Sequence, residues 1–432
     1  MAWETAAILL AVGLIVALFT NMPVGFAFGV VNVIAAWFVF GNVDALSFLV
    51  QAAYSSVANI YLTAVPFFVL MGTIFVRSNL SNMVLDHISK AVAGLKGSGA
   101  YTAVAGGVVL GALMGASVAS TAVLGSTLIA ELRRRKYSKL LSVGTILGSG
   151  TLAVLIPPSL GAVLVGSLAG ISISDLLLAG IGPAIVLSTL LIIFITVRIW
   201  FFEPDIIDPV AADVTFADRM IALAKLTPLL LPIFAVTGVI YFGIATATEA
   251  SATGALTTLI IAYAYRQFSF KEFIAMIKDA VVFSAMIMFI VVSSKAYSQI
   301  LAITGISQGL TELLAGTTAG PTVAVALVLG IALVLGCFMD STSVIFVVTP
   351  VLVGVMTQLN IDPVWFGALF VMVVGTGAIT PPFGLNLFTV KGVAPPEITM
   401  RDIYWISIPL SLIEIATAVI VLLNPGIVKI LL

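Results

Sequence analysis

Two pairs of polar clusters stand inside the most apolar parts of this sequence. The first pair is "GALMGASVASTAVLGS" (111–126) followed by "GSGTLAVLIPPS" (148–159), and the second is "GCFMDSTSVIFVVTP" (336–350) followed by "GTGAITPPFG" (375–384). Each couples a small, hydroxyl-bearing cluster to a Gly-Thr stretch that runs into Pro-Pro. Pro157, Pro158, Pro381 and Pro382 lack an amide donor and clash with the preceding turn. Gly148, Gly150, Gly375 and Gly377 admit the dihedrals of an unwound segment. A helix broken in this way frees carbonyls, which are costly to leave unpaired in hydrocarbon. Na⁺, a hard cation that prefers oxygen ligands, would satisfy them.

The side chains needed to complete such a site are present twice. Ser117, Ser120 and Thr121 lie in the first cluster and Thr151 in the first break; Asp340, Ser341 and Thr342 lie in the second cluster, and Thr376 and Thr380 in the second break. Each half can thus close one ion site between a cluster and a break. N–H groups at the restarted helices suit an anionic substrate. Single Ser and Thr residues in membrane helices often bond only to the preceding turn or to a neighbouring helix. The duplication favours ion binding over that plain role. Asp340 is the strongest single signal, because an acidic residue at membrane depth is functional by default; its other reading is a helix cap. For Lys295, in "IVVSSKAYSQIL", two readings stand open: complementing a substrate carboxylate or sulfonate, or snorkelling to the outer interface.

These groups need a membrane-embedded frame. Of 432 residues, 61% are hydrophobic and only 9% charged, and the mean hydropathy is +1.25. Apolar runs of spanning length recur throughout, which defines an all-α polytopic membrane protein whose first partner is the lipid bilayer. A net charge of −1 gives no nucleic-acid footprint, and a single cysteine, Cys337, excludes an internal disulfide or a thiolate metal cluster. The lone His87 sits in a polar stretch and reads as a surface residue.

Spans are expected at roughly 4–20, 23–40, 58–76, 137–170, 176–198, 226–246, 249–265, 280–300, 363–392 and 402–423. Those at 137–170 and 363–392 are overlong and discontinuous. The regions 99–134 and 321–358 each hold two shorter apolar pieces around a polar tip, the pattern of a re-entrant helical hairpin. With both termini outside and each hairpin returning to its own side, 16 of the 18 Lys and Arg residues fall inside, and only Lys295 and Lys429 do not. That bias is the positive-inside rule. The hairpins then enter from opposite sides, an inverted repeat of the kind found in secondary transporters. The chain divides into scaffold (1–98), first transport half (99–170), scaffold with the acidic linker 201–218 (171–320), second transport half (321–392) and C-terminal helix (393–432). The amphipathic stretches "SNMVLDHISKAVAGLKG" and "FSFKEFIAMIKDAV" are expected along the cytoplasmic interface.

"VPFFVLMG", "GASVAS", "GTLAVLIPPS", "TEASA", "LGCFMDSTSVIFVVTPVL" and "GTGAITPPFGLNLFTV" together resemble the large membrane subunit of TRAP transporters (tripartite ATP-independent periplasmic, DctM-like), over essentially the whole chain. The resemblance implies an elevator-type carrier in a bacterial inner membrane, with periplasmic termini and uptake driven by Na⁺. It implies two partners, a four-helix small membrane subunit on a separate chain and a periplasmic substrate-binding protein. The expected substrates are organic acids. It further implies Na⁺ ligands at Ser117, Ser120, Gly150, Thr151 and Pro157, and again at Asp340, Ser341, Thr342, Gly375, Thr376, Gly377 and Thr380. Asn386, with Thr380 and Ser120, would line the substrate site. The competing reading is a stand-alone Na⁺/dicarboxylate symporter of related fold. An enzyme is disfavoured by the lack of a nucleophile–base pair, and a channel by the paired closed sites.

Overall fold

The computed structural model describes residues 3–20, 22–41, 44–203, 206, 215–306, 308–309 and 320–432. Most of the expected linker 201–218 lies outside the described residues. Every regular element among them is helical. In chain order these are α1 (Trp3–Phe19), α2 (Val24–Phe40), α3 (Asp44–Val57), α4 (Ala64–Arg77), α5 (Leu80–Ala91), α6 (Ser98–Met114), α7 (Ser117–Arg134), α8 (Lys139–Thr151), α9 (Leu160–Ala169), α10 (Ile173–Ala179) and α11 (Ile181–Phe201). There follow α12 (Phe216–Ile233), α13 (Ala247–Ala264), α14 (Phe270–Ile303), α15 (Gly320–Gly336), α16 (Ser341–Gln358), α17 (Pro363–Gly377), α18 (Leu385–Val393) and α19 (Met400–Leu423). A π turn, Phe234–Gly238, and the short turn Val239–Tyr241 extend α12.

Two helices form the centre. From Leu141 to Thr151 every residue of α8 is buried, and so is every residue of α17 from Trp365 to Gly377. A helix apolar on all sides is stable only when other helices enclose it. Around α8 stand α6, α7, α11 and α19; around α17 stand α9, α10, α15, α16 and α19. Outside that centre, α2, α3 and α4 pack on α14, and α4 packs on α13. Large apolar side chains such as Phe38, Tyr54, Phe201 and Tyr263 are exposed on the outside, where a bilayer would cover them.

Close backbone approach seats the central helices. A Cβ on Gly111 of α6 would lie 2.8 Å from Cα of Ala153, and one on Gly336 of α15 would lie 2.9 Å from Cα of Gly377. Gly115 ends α6 with φ 63° and donates its N–H to Gly111 O at 2.8 Å, a left-handed cap. A side chain there is strained by about 1–2 kcal/mol, and its Cβ would lie 2.7 Å from the carbonyl oxygen of Pro158. Gly115→Ala is therefore expected to lower the melting temperature in detergent, and an unchanged melt would contradict this geometry.

Polar rims mark the two ends of the central bundle. At one end Lys139 meets Asp402 at 2.8 Å, Arg133 meets Glu397 at 3.8 Å, and Lys391 Nζ donates to Ile398 O at 2.8 Å. At the other, Lys429 meets Asp362 at 2.7 Å. Helix α19 runs from the first rim to the second, so α7 and α16 end at opposite ends of it.

Several elements differ from the sequence expectation. The helix Asp44–Val57 was not among the expected spans, because Gln51, Ser55 and Ser56 dilute its apolar run. The region 58–76 opens as a 3₁₀ turn, Ile60–Thr63, and α4 then bends by 68° into α5, the first amphipathic stretch. The second amphipathic stretch is no separate arm: it is continuous with the span 280–300 in the single 34-residue helix α14. Nothing in 270–303 carries a Gly or Pro that would stop the helix. By length and apolarity alone, five helices among the described residues can cross a membrane, or six if the bent pair is one span. They include α16, Ser341–Gln358, which the sequence reading took as a short hairpin piece, whereas α1 and α2 have 17 residues each and the breaks divide 137–170 and 363–392 into shorter helices.

Candidate ion and substrate site

The first break runs from Thr151 to Leu160: one 3₁₀ turn, Leu152–Val154, then the Pro157–Pro158 pair, whose peptide bond is cis. Ser159 caps α9, accepting from Ala162 N at 3.2 Å. The second break runs from Ala378 to Gly384 and also holds a cis Pro–Pro bond, Pro381–Pro382. Each hairpin tip is tied to its break by one backbone bond. Leu160 N–H donates to Gly115 O at 3.2 Å, and Phe383 N–H donates to Cys337 O at 3.0 Å. The two breaks also meet, since Gly375 packs on the side chain of Val154.

The freed carbonyls expected from the sequence are largely re-paired. In the second break the carbonyls of Gly375, Thr376 and Gly377 accept N–H groups of Ala378, Ile379 and Thr380, and Ala378 O accepts from Asn386 N at 3.0 Å. Tight i+3 turns do this at low cost wherever a helix ends. Each carbonyl retains a second lone pair, so ligation stays open to it.

The unsatisfied groups are side chains. Ser120, Thr121 and Ser149 are fully buried, and their hydroxyls have no hydrogen-bond partner. Thr121 Oγ1 occupies the space over Gly150 that a Cβ would fill, where the start of α7 meets the end of α8, and the Ser149 side chain packs against Gly107 of α6. Asn386 is fully buried too, with both amide atoms unpaired. Val393 of α18 packs on Gly125 of α7, and Asn386 N–H reaches back to Ala378 O in the second break. Buried polar groups without a partner cost about 1–3 kcal/mol each. Four such residues lie on α7, α8 and α18, helices that pack on one another.

The second half is arranged differently. Asp340 caps α16: its carboxylate accepts Ser343 N at 3.1 Å and the Ser343 hydroxyl. Ser341 and Thr342, partly buried, open that helix. Thr376 donates to Met372 O at 3.2 Å, and Thr380 to Thr376 O at 2.7 Å with Ser411 Oγ at 3.3 Å. Ser117 and Pro157 are buried in the first half. Lys295 is not brought to the breaks. It lines a separate cavity of about 240 Å³ with Ser298, Thr349 and Pro350.

The sequence reading missed Ser149, Ser411 and Glu414. Glu414 is 1% exposed, accepts from Thr151 Oγ1 and lies beside Thr376. With Ser407 and Ser411 it forms a buried polar stripe of α19. The signal was present: a carboxylate in "LSLIEIATAVIVLL" sits at membrane depth as Asp340 does.

A further cavity of about 330 Å³ runs from the Gly115–Ala116 tip and Pro158, along Gly72 of α4, to the Arg77–Asp279 ion pair.

Buried helices broken around an oxygen-lined centre, inside an apolar exterior, define a polytopic membrane transport protein. The family model of the tripartite ATP-independent periplasmic transporter DctM component matches residues 11–427, and the chain belongs to that family, the large permease subunits of TRAP transporters. It is 28% identical over 375 residues to the ectoine TRAP transporter large permease protein of Halomonas elongata, covering 86% of each chain. It is 29% identical over 426 residues to the C4-dicarboxylate TRAP transporter large permease protein of Vibrio cholerae, covering 93% of this chain and 91% of that one. In fold it is similar to the YdaH transporter of Alcanivorax borkumensis, at a TM-score of 0.66 and 14% identity over 89% of each chain.

Proposed function

We propose that this permease subunit couples the inward movement of Na⁺ to the uptake of an organic acid, a carboxylate or a sulfonate, across a bacterial inner membrane. A periplasmic binding protein delivers the substrate, and a four-helix small membrane subunit completes the assembly. The observation that carries the reading is the unpaired, buried Thr121 hydroxyl over Gly150, with the unpaired hydroxyls of Ser120 and Ser149 on the same two helices, α7 and α8. Buried oxygens without donors are what a cation requires, and the absence of any group of three His, Cys, Asp or Glu among the described residues directs that site to a hard monovalent ion rather than a transition metal. The second ion site draws on Asp340, Ser341, Thr342, Gly375, Thr376, Gly377 and Thr380. Asn386, buried with an unpaired amide just past the second break, is the substrate's hydrogen-bonding partner, together with Ser120 and Thr380.

Both halves reuse one plan, in which a hairpin tip is bonded to a cis Pro–Pro break, and their hairpins open toward opposite ends of α19. That supports an inverted repeat. The cavity between α4 and the first tip supports an elevator, in which the core slides past a scaffold of α2, α4 and α14 and opens inward along Gly72 toward Arg77 and Asp279. Lys295, in the cavity beside the second hairpin, offers a positive charge to an incoming anion.

The test is uptake in proteoliposomes holding both membrane subunits, with succinate, isethionate and ectoine as labelled probes. Accumulation is expected only with an inward Na⁺ gradient and the binding protein. Full-rate uptake of free substrate by this chain alone would support the stand-alone symporter instead.

A further inference from the structure

A carboxylate buried among helices needs a compensating charge, and Glu414 has none supplied by the protein. Its side chain is 1% exposed, and among the described residues no Lys, Arg or His side chain pairs with it. Thr151, at the end of α8, donates to it, and Thr376, in the last turn of α17 and from the other half of the molecule, lies beside it. Thr151 Oγ1 also lies 2.8 Å from Gly148 O, and Thr376 donates to Met372 O at 3.2 Å. A hydroxyl has one proton to donate, so Thr151 chooses between its own preceding turn and the carboxylate. One turn before Glu414, Ser411 Oγ lies 3.3 Å from Thr380 Oγ1 and donates to Ile379 O at 3.4 Å, so the same face of α19 lies along the second break.

We propose that Glu414 is the shared counter-charge of the two candidate ion sites, a single carboxylate on α19 that favours a cation at either break and couples the occupancy of one to the other. The inference rests on the Na⁺ reading given above. Its physical basis is distance and dielectric. A unit charge acting through a protein interior contributes far more than through water, and a buried carboxylate without a cation is otherwise unfavourable. When a cation engages Thr151 or Thr376, the threonine keeps its proton on the backbone carbonyl of the preceding turn and turns its lone pairs toward the ion. Glu414 loses that donor and gains the ion's charge. The second cation then meets a centre whose threonines and carboxylate are already oriented.

The test is Na⁺-dependent thermal stabilisation of the purified permease complex, titrated with NaCl against choline chloride at constant ionic strength. The wild type is expected to be stabilised with a Hill coefficient above 1. Glu414→Gln keeps the hydrogen-bonding shape and removes the charge; its half-saturating Na⁺ concentration is expected to rise at least tenfold and its Hill coefficient to fall toward 1. Its melting temperature without Na⁺ should be equal or higher, which separates this role from a merely structural one. Glu414→Asp retains the charge and is expected to stay within about threefold of wild type, and it serves as the readout should the Gln variant not fold. A cooperative wild type with an unaltered Gln variant, or an Asp variant that has lost all Na⁺ response while remaining folded, overturns this inference alone. A wild type indifferent to Na⁺ removes the ion reading and this inference together.

Discussion

Ser120→Ala combined with Ser149→Ala is expected to raise the Na⁺ concentration needed for half-maximal uptake by at least tenfold while leaving the Na⁺-free protein as stable as wild type or more so. The opposite signs are the diagnostic. Both hydroxyls are fully buried and unpaired. Removing a buried hydroxyl that has a partner usually costs about 1 kcal/mol; removing one that lacks a partner relieves a desolvation penalty of similar size. If these oxygens serve only packing, stability changes and Na⁺ dependence does not. If they are ligands, Na⁺ dependence changes and stability does not fall. Uptake measured against Na⁺ concentration, alongside melts with and without Na⁺, separates the two. Thr121→Val, isosteric but without the hydroxyl, is expected to follow the same pattern, because Thr121 Oγ1 is likewise buried and unpaired, over Gly150.

The second large effect is structural. Gly377→Val is expected to abolish transport and sharply reduce the yield of folded protein. A Cβ at Gly377 would lie 2.6 Å from Cα of Gly336 and 2.9 Å from its carbonyl carbon, so the obstacle is backbone and cannot rotate away. Overpacking a well-filled core costs about 1–3 kcal/mol even where side chains can adjust. Here α15 and α17 would have to separate at the level of the second break. Gly330→Val is the control, because a Cβ on that glycine, on the same helix α15, would meet no neighbouring element within 4 Å. Equal yields of the two variants on fluorescence-detected size exclusion would contradict the packing described.

What the sequence made legible follows from chemistry that is local along the chain. Pro-Pro after Gly-Thr stops a helix whatever surrounds it, and both breaks stand where those residues place them. The hairpin tips follow from Gly115 and from Asp340, whose cap role is a property of its own first turn. Less legible was anything decided by partners distant in sequence. Carbonyls counted as free are re-paired by local turns and by Asn386 N–H reaching back to Ala378 O. Whether a given hydroxyl is spent or spare depends on the opposing helix: Thr380 meets Ser411, whereas Ser149 faces Gly107, which offers its hydroxyl no side-chain partner. Glu414 lies 263 residues from Thr151, and no spacing rule connects them. The continuous helix α14 was divided in the reading because its charged first half and apolar second half suggest two environments, although no residue interrupts it.

The central claim is that the hydroxyls of the first hairpin tip and first break bind Na⁺. Equilibrium binding of radioactive ²²Na⁺ to the purified permease in nanodiscs tests it most directly. The account predicts saturable binding that unlabelled Na⁺ displaces and choline does not, and that falls by at least one site in Ser120→Ala/Ser149→Ala. Wild-type binding that does not saturate, or a double variant with full stoichiometry and affinity, would contradict it.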